Sequence, residues 1–430
     1  MAPAALVLLV GACGQNASLS VTAGMGPDPV LPPPDPSLLP VIDIAPAIGW
    51  PPGAAPVAAP GLAVNRFAAA LDHPRWLYVL PNGDVLVAET NAPPRPDNAT
   101  GISGWVMKRM MKRAGAAAPS ADRITLLRDA DHDGVAEFRS VFLSGLNSPF
   151  GMALVGGDFY VADTDALLRF PYSPGDTGIA APAEKITELP AGPINRHWTK
   201  NVLASRDGSR LFVTVGSNSN IAERGLSNET DRAAILEVDP ATGDIRLFAS
   251  GLRNPNGLAW HPESDTLWTT VNERDGLGHD LVPDYLTTVR EGGFYGWPWS
   301  YFGQHVDERV APQRPEKVLD AIVPDYALGS HTASLGLAFY DGELLPAPYA
   351  GGAFIGQHGS LNREPPSGYK VIFVPFDGGR PDGMPVDILT GFLSKDGEAY
   401  GRPVGVVVDG SGAVLVADDV GNAVWRIAPE

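Results

Sequence analysis

The chain reads as an all-β protein, a six-bladed β-propeller preceded by a disordered Pro/Ala-rich tether. Three observations predict this. Apolar alternation broken by Pro or Gly turns returns six times along residues 61–430. Gly (49 residues) and Pro (42 residues) are frequent enough to punctuate many short strands. Only residues 104–113, Gly-Trp-Val-Met-Lys-Arg-Met-Met-Lys-Arg, carry a clear helical period.

The first unit runs from Pro74 to Glu89, with Pro81-Asn82-Gly83-Asp84 as the turn between two apolar runs. The second pairs Ser148 to Leu154 with Phe159 to Asp163, and the third pairs Asn201 to Ala204 with Arg210 to Val215. The fourth pairs Asn254 to Trp260 with Thr266 to Thr270, and the fifth pairs Ser334 to Phe339 with Gly352 to Ile355. The sixth pairs Arg402 to Val408 with Ala413 to Asp418 through the turn Asp409-Gly410-Ser411-Gly412. Each unit reads as two strands and a tight turn. Six such units at intervals of roughly 50 to 80 residues fit radial repetition better than a sandwich. Insertions between units then become loops over one face, and the basic helix at 104–113 covers a rim.

Residues 4–13 form a short apolar run ending in Gly11-Ala12-Cys13. Residues 1–13 read as a lipoprotein signal peptide ending at the lipobox Cys13, although no Lys or Arg precedes Ala4. The run is too short to span a bilayer. This predicts an exported, periplasmic protein, lipid-anchored to a bacterial membrane. Cys13 is the single cysteine, so no intrachain disulfide can form. Residues 14–60, rich in Pro, Ala and Gly, are expected to be a flexible tether outside the core.

The formal net charge of −18 argues against nucleic acid and against an anionic membrane face as partners. No Gly-x-Gly-x-x-Gly follows a strand, which argues against a nicotinamide enzyme.

Three segments carry candidate chemistry. Asn195-Arg196-His197-Trp198-Thr199-Lys200-Asn201 places a histidine, the default base near neutral pH, just before a strand. Gly251-Leu252-Arg253-Asn254-Pro255-Asn256-Gly257 sets a rigid guanidinium fork beside two amides. Asn272-Glu273-Arg274-Asp275-Gly276-Leu277-Gly278-His279-Asp280 gathers hard oxygen donors of the kind calcium prefers. A fourth motif, Asp129-Ala130-Asp131-His132-Asp133-Gly134, mimics the first half of a calcium loop. Its twelfth position is Ser140 rather than Glu, so a tight acidic hairpin is the expected reading.

The ordered set of these segments resembles the soluble PQQ-dependent glucose and aldose sugar dehydrogenase superfamily, closest to its L-sorbosone dehydrogenase-like branch. Further matches are Glu291-Gly292-Gly293-Phe294-Tyr295-Gly296-Trp297-Pro298, Gln357 to Arg363 with Gly368-Tyr369-Lys370-Val371, and Gly401-Arg402-Pro403. The resemblance covers residues 61–426. It implies that His197 is the general base and that Arg253 polarises the quinone carbonyl, with Asn254 and Asn256 beside it. It further implies that Arg363 and Arg402 meet the cofactor carboxylates. Glu273, Asp275, Gly276 and Asp280 would hold calcium, partly through backbone carbonyls. The implied partners are a sugar or sugar aldehyde and an electron acceptor, a quinone or a cytochrome. Two positions depart from the family pattern: Val404 stands where a second arginine would, and Arg363 where a lysine would. The rival readings are a calcium-dependent lactonase or esterase propeller and a non-catalytic binding propeller.

Overall fold

The computed structural model describes residues 16–36, 44–94, 109, 112–116, 118–192 and 194–430. The signal-peptide reading with Cys13 lies outside these residues. Of the expected helix at 104–113, only residues 109, 112 and 113 are described, and they are helical.

Each sequence unit becomes the inner half of one antiparallel sheet. Blade 1 begins with Pro74–Val79 and Val85–Glu89, registered Pro74 opposite Glu89. Blade 2 begins with Gly151–Val155 and Asp158–Ala162, and blade 3 with Val202–Ala204 and Leu211–Val215. Blade 4 begins with Pro255–Trp260 and Leu267–Val271, and blade 5 with Ser334–Phe339 and Ala353–Gln357. Blade 6 begins with Pro403–Val408 and Val414–Asp418. Two further strands complete each blade. In blade 6 the outermost is Leu62–Ala68, which pairs with Ala423–Pro429 and so joins the two ends of the propeller. The six innermost strands touch their neighbours in ring order, and blade 6 meets blade 1. This is the six-bladed propeller that the repeats predict.

The core lies between blades. Second strands such as Val85–Glu89, Leu211–Val215 and Val414–Asp418 are buried at every residue, because neighbouring blades cover both faces. Aromatic rings tie adjacent blades together: Phe150 packs at 4.7 Å from Trp76 and 6.0 Å from Trp198. Such pairs add about 0.5 to 1.5 kcal/mol each beyond area burial.

The expected tether is corrected where it is described: much of it packs on the propeller. Met25–Gly26 adds a strand to blade 4, and Val57–Ala58 adds one to blade 5. The Ser18 amide and hydroxyl and the Leu19 amide all donate to Asp280. Trp50 stacks on Tyr400, meets Phe392 and Trp425 edge to face, and donates from Nε1 to Asp418. Pro-rich composition hides this, because a strap held by backbone groups and single anchors needs no apolar alternation.

Candidate active site

Antiparallel pairing puts the start of every innermost strand and the end of every second strand on one face. His197 precedes Val202–Ala204, and Ser217 follows Leu211–Val215. Arg253 and Asn254 precede Pro255–Trp260. Residues distant in sequence therefore meet on this face.

His197 and Arg253 form its first cluster. His197 Nδ1 lies 2.7 Å from the Ser217 carbonyl and 3.1 Å from Ser217 Oγ. A carbonyl only accepts, so Nδ1 carries the proton and Nε2 keeps the lone pair. Burial first, then the charges of Arg253 and Arg196, hold the imidazole well below its ordinary range. It is neutral at neutral pH, the form a base needs. Arg253 donates to the Glu273 carbonyl at 2.6 Å and to Asn220 Oδ1 at 2.9 Å, and it approaches Asp275 at 3.4 Å. Its Nε is buried without a partner, as are Asn254 Oδ1 and Asn256 Oδ1. Asn256 donates across to Thr199 in blade 3. Gly216 permits the approach: a Cβ there would lie 2.2 Å from Asn254 Oδ1 and 2.5 Å from His197 Cβ.

The second cluster gathers on Asp419 and was missed in the sequence. Asp419 Oδ2 accepts from Arg75 at 2.6 Å and meets His358 at 2.8 Å and His73 at 3.5 Å. Burial alone would raise this carboxyl, but His358, His73 and Arg75 together hold it well below the usual range. Burial lowers both histidines, His73 to about 4, against the pull of Asp419. Arg402 lies close enough to lower the Arg75 guanidinium further. It donates to the Ala45 carbonyl and sits 5.4 Å over the Tyr369 ring. Arg75 lies 5.9 Å over Trp198, the neighbour of His197, so the two clusters adjoin. The Nε atoms of Arg75 and Arg402 are buried without partners. One signal could have found these residues: His73, His358 and Asp419 flank the repeated strands as His197 and Arg253 do, and Arg75 is the second residue of one.

Of the remaining expected residues, Glu273 and Asp275 reach the Arg253 cluster, whereas Arg363 and Asp280 pair with each other and with the N-terminal strap. Arg363 donates to the Pro365 and Leu19 carbonyls and lies 3.4 Å from Asp280, so it anchors the N-terminal strap. Glu273 Oε2 accepts from the amide and Nε of Arg274. Asp275 lies between Arg253 and His331, which hold its carboxyl far below the usual range against burial. The Asp275 and Gly276 carbonyls both accept from Arg309. Cations and strap amides of the protein thus meet most oxygens of Glu273, Asp275, Gly276 and Asp280, while Glu273 Oε1 is buried without a partner. Among the described residues the carboxylates that do converge are Asp129, Asp131, Asp133 and Glu137, within 4.8 Å of one another. Amides of Ala130, Asp133, Gly134 and Val135 donate into that hairpin.

Fold and site together define a propeller on one face of which a neutral histidine adjoins buried arginines with unpaired nitrogens. Residues 183–363 match the family model for glucose/sorbosone dehydrogenases, and residues 316–430 match a TrAA12-like model. Over residues 183–363 the chain is thus similar to the glucose/sorbosone dehydrogenase family. It is 31% identical over 241 residues to an uncharacterized protein of Borreliella burgdorferi, covering 56% of this chain and 62% of that one. It is 26% identical over 149 residues to an aldose sugar dehydrogenase of Escherichia coli, covering 32% and 38%. It is also 26% identical over 291 residues to a pyrroloquinoline quinone-dependent pyranose dehydrogenase of Coprinopsis cinerea, covering 54% and 39%. It therefore spans less than two thirds of the length of each of these relatives. In fold it is similar to the holo PQQ domain of the Coprinopsis cinerea enzyme, with a TM-score of 0.69 at 20% identity over 90% of this chain and 100% of that one. The calcium structure of a Trichoderma reesei family AA12 enzyme gives a TM-score of 0.69 at 18% identity, over 90% and 99%.

Proposed function

We propose that this chain is a PQQ-dependent dehydrogenase that oxidises a sugar or sugar aldehyde at the face carrying His197 and Arg253. The observation that carries the reading is the neutral His197 beside the buried, partly unpaired Arg253. The relatives described above are consistent with it. When bound, PQQ supplies a two-electron acceptor for hydride.

The protein supplies position, charge and a base. PQQ is a planar quinone tricarboxylate, and the buried Nε atoms of Arg75, Arg253 and Arg402 are donors suited to it. Arg253 would stabilise negative charge developing on the quinone oxygen, with Asn254 beside it. Arg75 and Arg402 would face the carboxylates, so blade 1 provides the second guanidinium that Val404 does not. His197 Nε2 would take the substrate hydroxyl proton while the carbinol hydrogen leaves as hydride, which balances the oxidation to a carbonyl. For an aldehyde the hydrate is the equivalent alcohol. The loop at residues 273–280 is internally paired, so we route no step through calcium there.

The test is a dye-coupled screen of sugars and aldehydes on purified apoprotein with PQQ, with and without added calcium. We expect dye reduction that needs both PQQ and sugar. A PQQ-loaded protein that oxidises no sugar, aldose or sugar aldehyde would overturn the reading. The same reading puts the protein outside the cytoplasm, lipid-anchored through Cys13. Cys13→Ala is expected to move it from the membrane fraction to the soluble fraction with turnover unchanged, and full retention on membranes overturns the anchor.

A further inference from the structure

Residues 216–233 join the second and third strands of blade 3 and touch both members of the first cluster. The Ser217 carbonyl accepts from His197 Nδ1, and the Ser217 amide donates to the Arg253 carbonyl at 2.7 Å. Asn220 Oδ1 accepts from Arg253 and from the Asp275 amide, both at 2.9 Å. The only regular element here is the short 3-10 turn Leu226–Glu229. A loop with so little secondary structure needs another restraint to hold a base in place.

Glu229 supplies that restraint. Its side chain is buried, and Oε2 accepts from the Asn218 amide at 2.6 Å while Oε1 accepts from the Ser219 hydroxyl. The Ser219 carbonyl in turn accepts from Ser217 Oγ at 2.7 Å. One carboxylate thus fastens the two residues that follow the carbonyl that binds His197. We propose that Glu229 is a positioning residue: by fixing the Ser217 carbonyl it sets the tautomer of His197, and by fixing the loop it places Arg253.

In a neutral imidazole, the hydrogen bond at one nitrogen decides where the proton sits. If the Ser217 carbonyl drifts, Nδ1 loses its acceptor and the lone pair no longer stays on Nε2. A histidine base in the wrong tautomer can lose up to about 10⁴-fold in turnover. The charged groups facing His197 are Arg253 from blade 4, Arg196 from its own segment and Arg232 from the loop. Changing Glu229 replaces none of them, and only Arg232 feels the charge of Glu229 directly.

The catalytic meaning of this proposal rests on the function proposed above, but its test does not. Long-range proton–nitrogen spectra of protein labelled at histidine report each ring's tautomer without cofactor or substrate, and His197→Gln identifies the His197 signals. Wild type should show His197 as the Nδ1–H form. Glu229→Ala should shift it toward the Nε2–H form, and Glu229→Gln, which keeps one acceptor oxygen, should largely restore it. Should Glu229→Ala not fold, Glu229→Asp serves instead, since its shorter arm cannot reach both donors, and the same shift is expected. A folded Glu229→Ala or Glu229→Asp protein with His197 still wholly in the Nδ1–H form overturns the proposal. Wild-type turnover by His197→Ala would overturn the base assignment separately, whatever these spectra show.

Discussion

At the scale of residues, His197 is the side chain on which most depends. His197→Ala should keep its fold and its PQQ affinity while turnover falls by roughly 10² to 10⁴-fold. If His197 were only structural, stability would fall and turnover per folded molecule would stay level. Because its pKa lies well below the ordinary histidine range, wild-type turnover should hold through pH 6.5 and fall only at lower pH. A pH–rate profile with its acid limb above that point would contradict the environment described. Asp163 provides a different test. Burial first, then Asp165 and Asp122, push this carboxyl up from 3.8 to about 7. A raised carboxyl favours the folded state at low pH and loses that contribution as pH rises through the folded value. Asp163→Asn should therefore gain stability relative to wild type as pH rises from 3.8 to about 7, then level off. Denaturant midpoints across that range check it, and a flat difference would refute it.

At the scale of elements, the inner strands were legible and the outer ones were not. Runs such as Val414–Asp418 are buried at every residue, so apolar composition and turn residues mark them. The outer strands Glu184–Glu188 and Ile245–Ser250 are largely exposed, so they carry little pattern to read. The same contrast governs the site. His197 and Arg253 were legible because they sit in recognisable segments. Asp419 was not, because nothing local shows that His73, Arg75 and His358 converge on it from other blades. Arg363 was legible as a cation, but residue type cannot show that its guanidinium also holds the strap carbonyl of Leu19. Arg363→Ala should accordingly leave PQQ affinity unchanged and speed proteolysis within residues 16–36. A large loss of PQQ affinity without strap cleavage would return Arg363 to the cofactor. The contact of blades 3 and 4 is equally specific. Gly216→Ala forces a methyl into Asn254 and His197, so it should cost about 1 to 3 kcal/mol. A melting temperature equal to wild type would refute that packing.

At the scale of the whole molecule, the propeller is a device for bringing distant sequence to one place. Six blades each deliver strand ends to one face, and the strand Leu62–Ala68 ties the first blade's side of the ring to the last. A strongly acidic protein can in this way concentrate buried arginines on one face. The N-terminal strap crosses the same face and binds Asp280, Arg363 and Arg402. The central claim is that this cationic face receives PQQ, and calorimetric titration of PQQ into apoprotein tests it most directly. With calcium present, wild type should bind saturably, His197→Ala should bind as wild type does, and Arg75→Ala and Arg253→Ala should each bind more weakly. No binding by wild type, or undiminished binding by a folded protein carrying both arginine substitutions, would contradict the account.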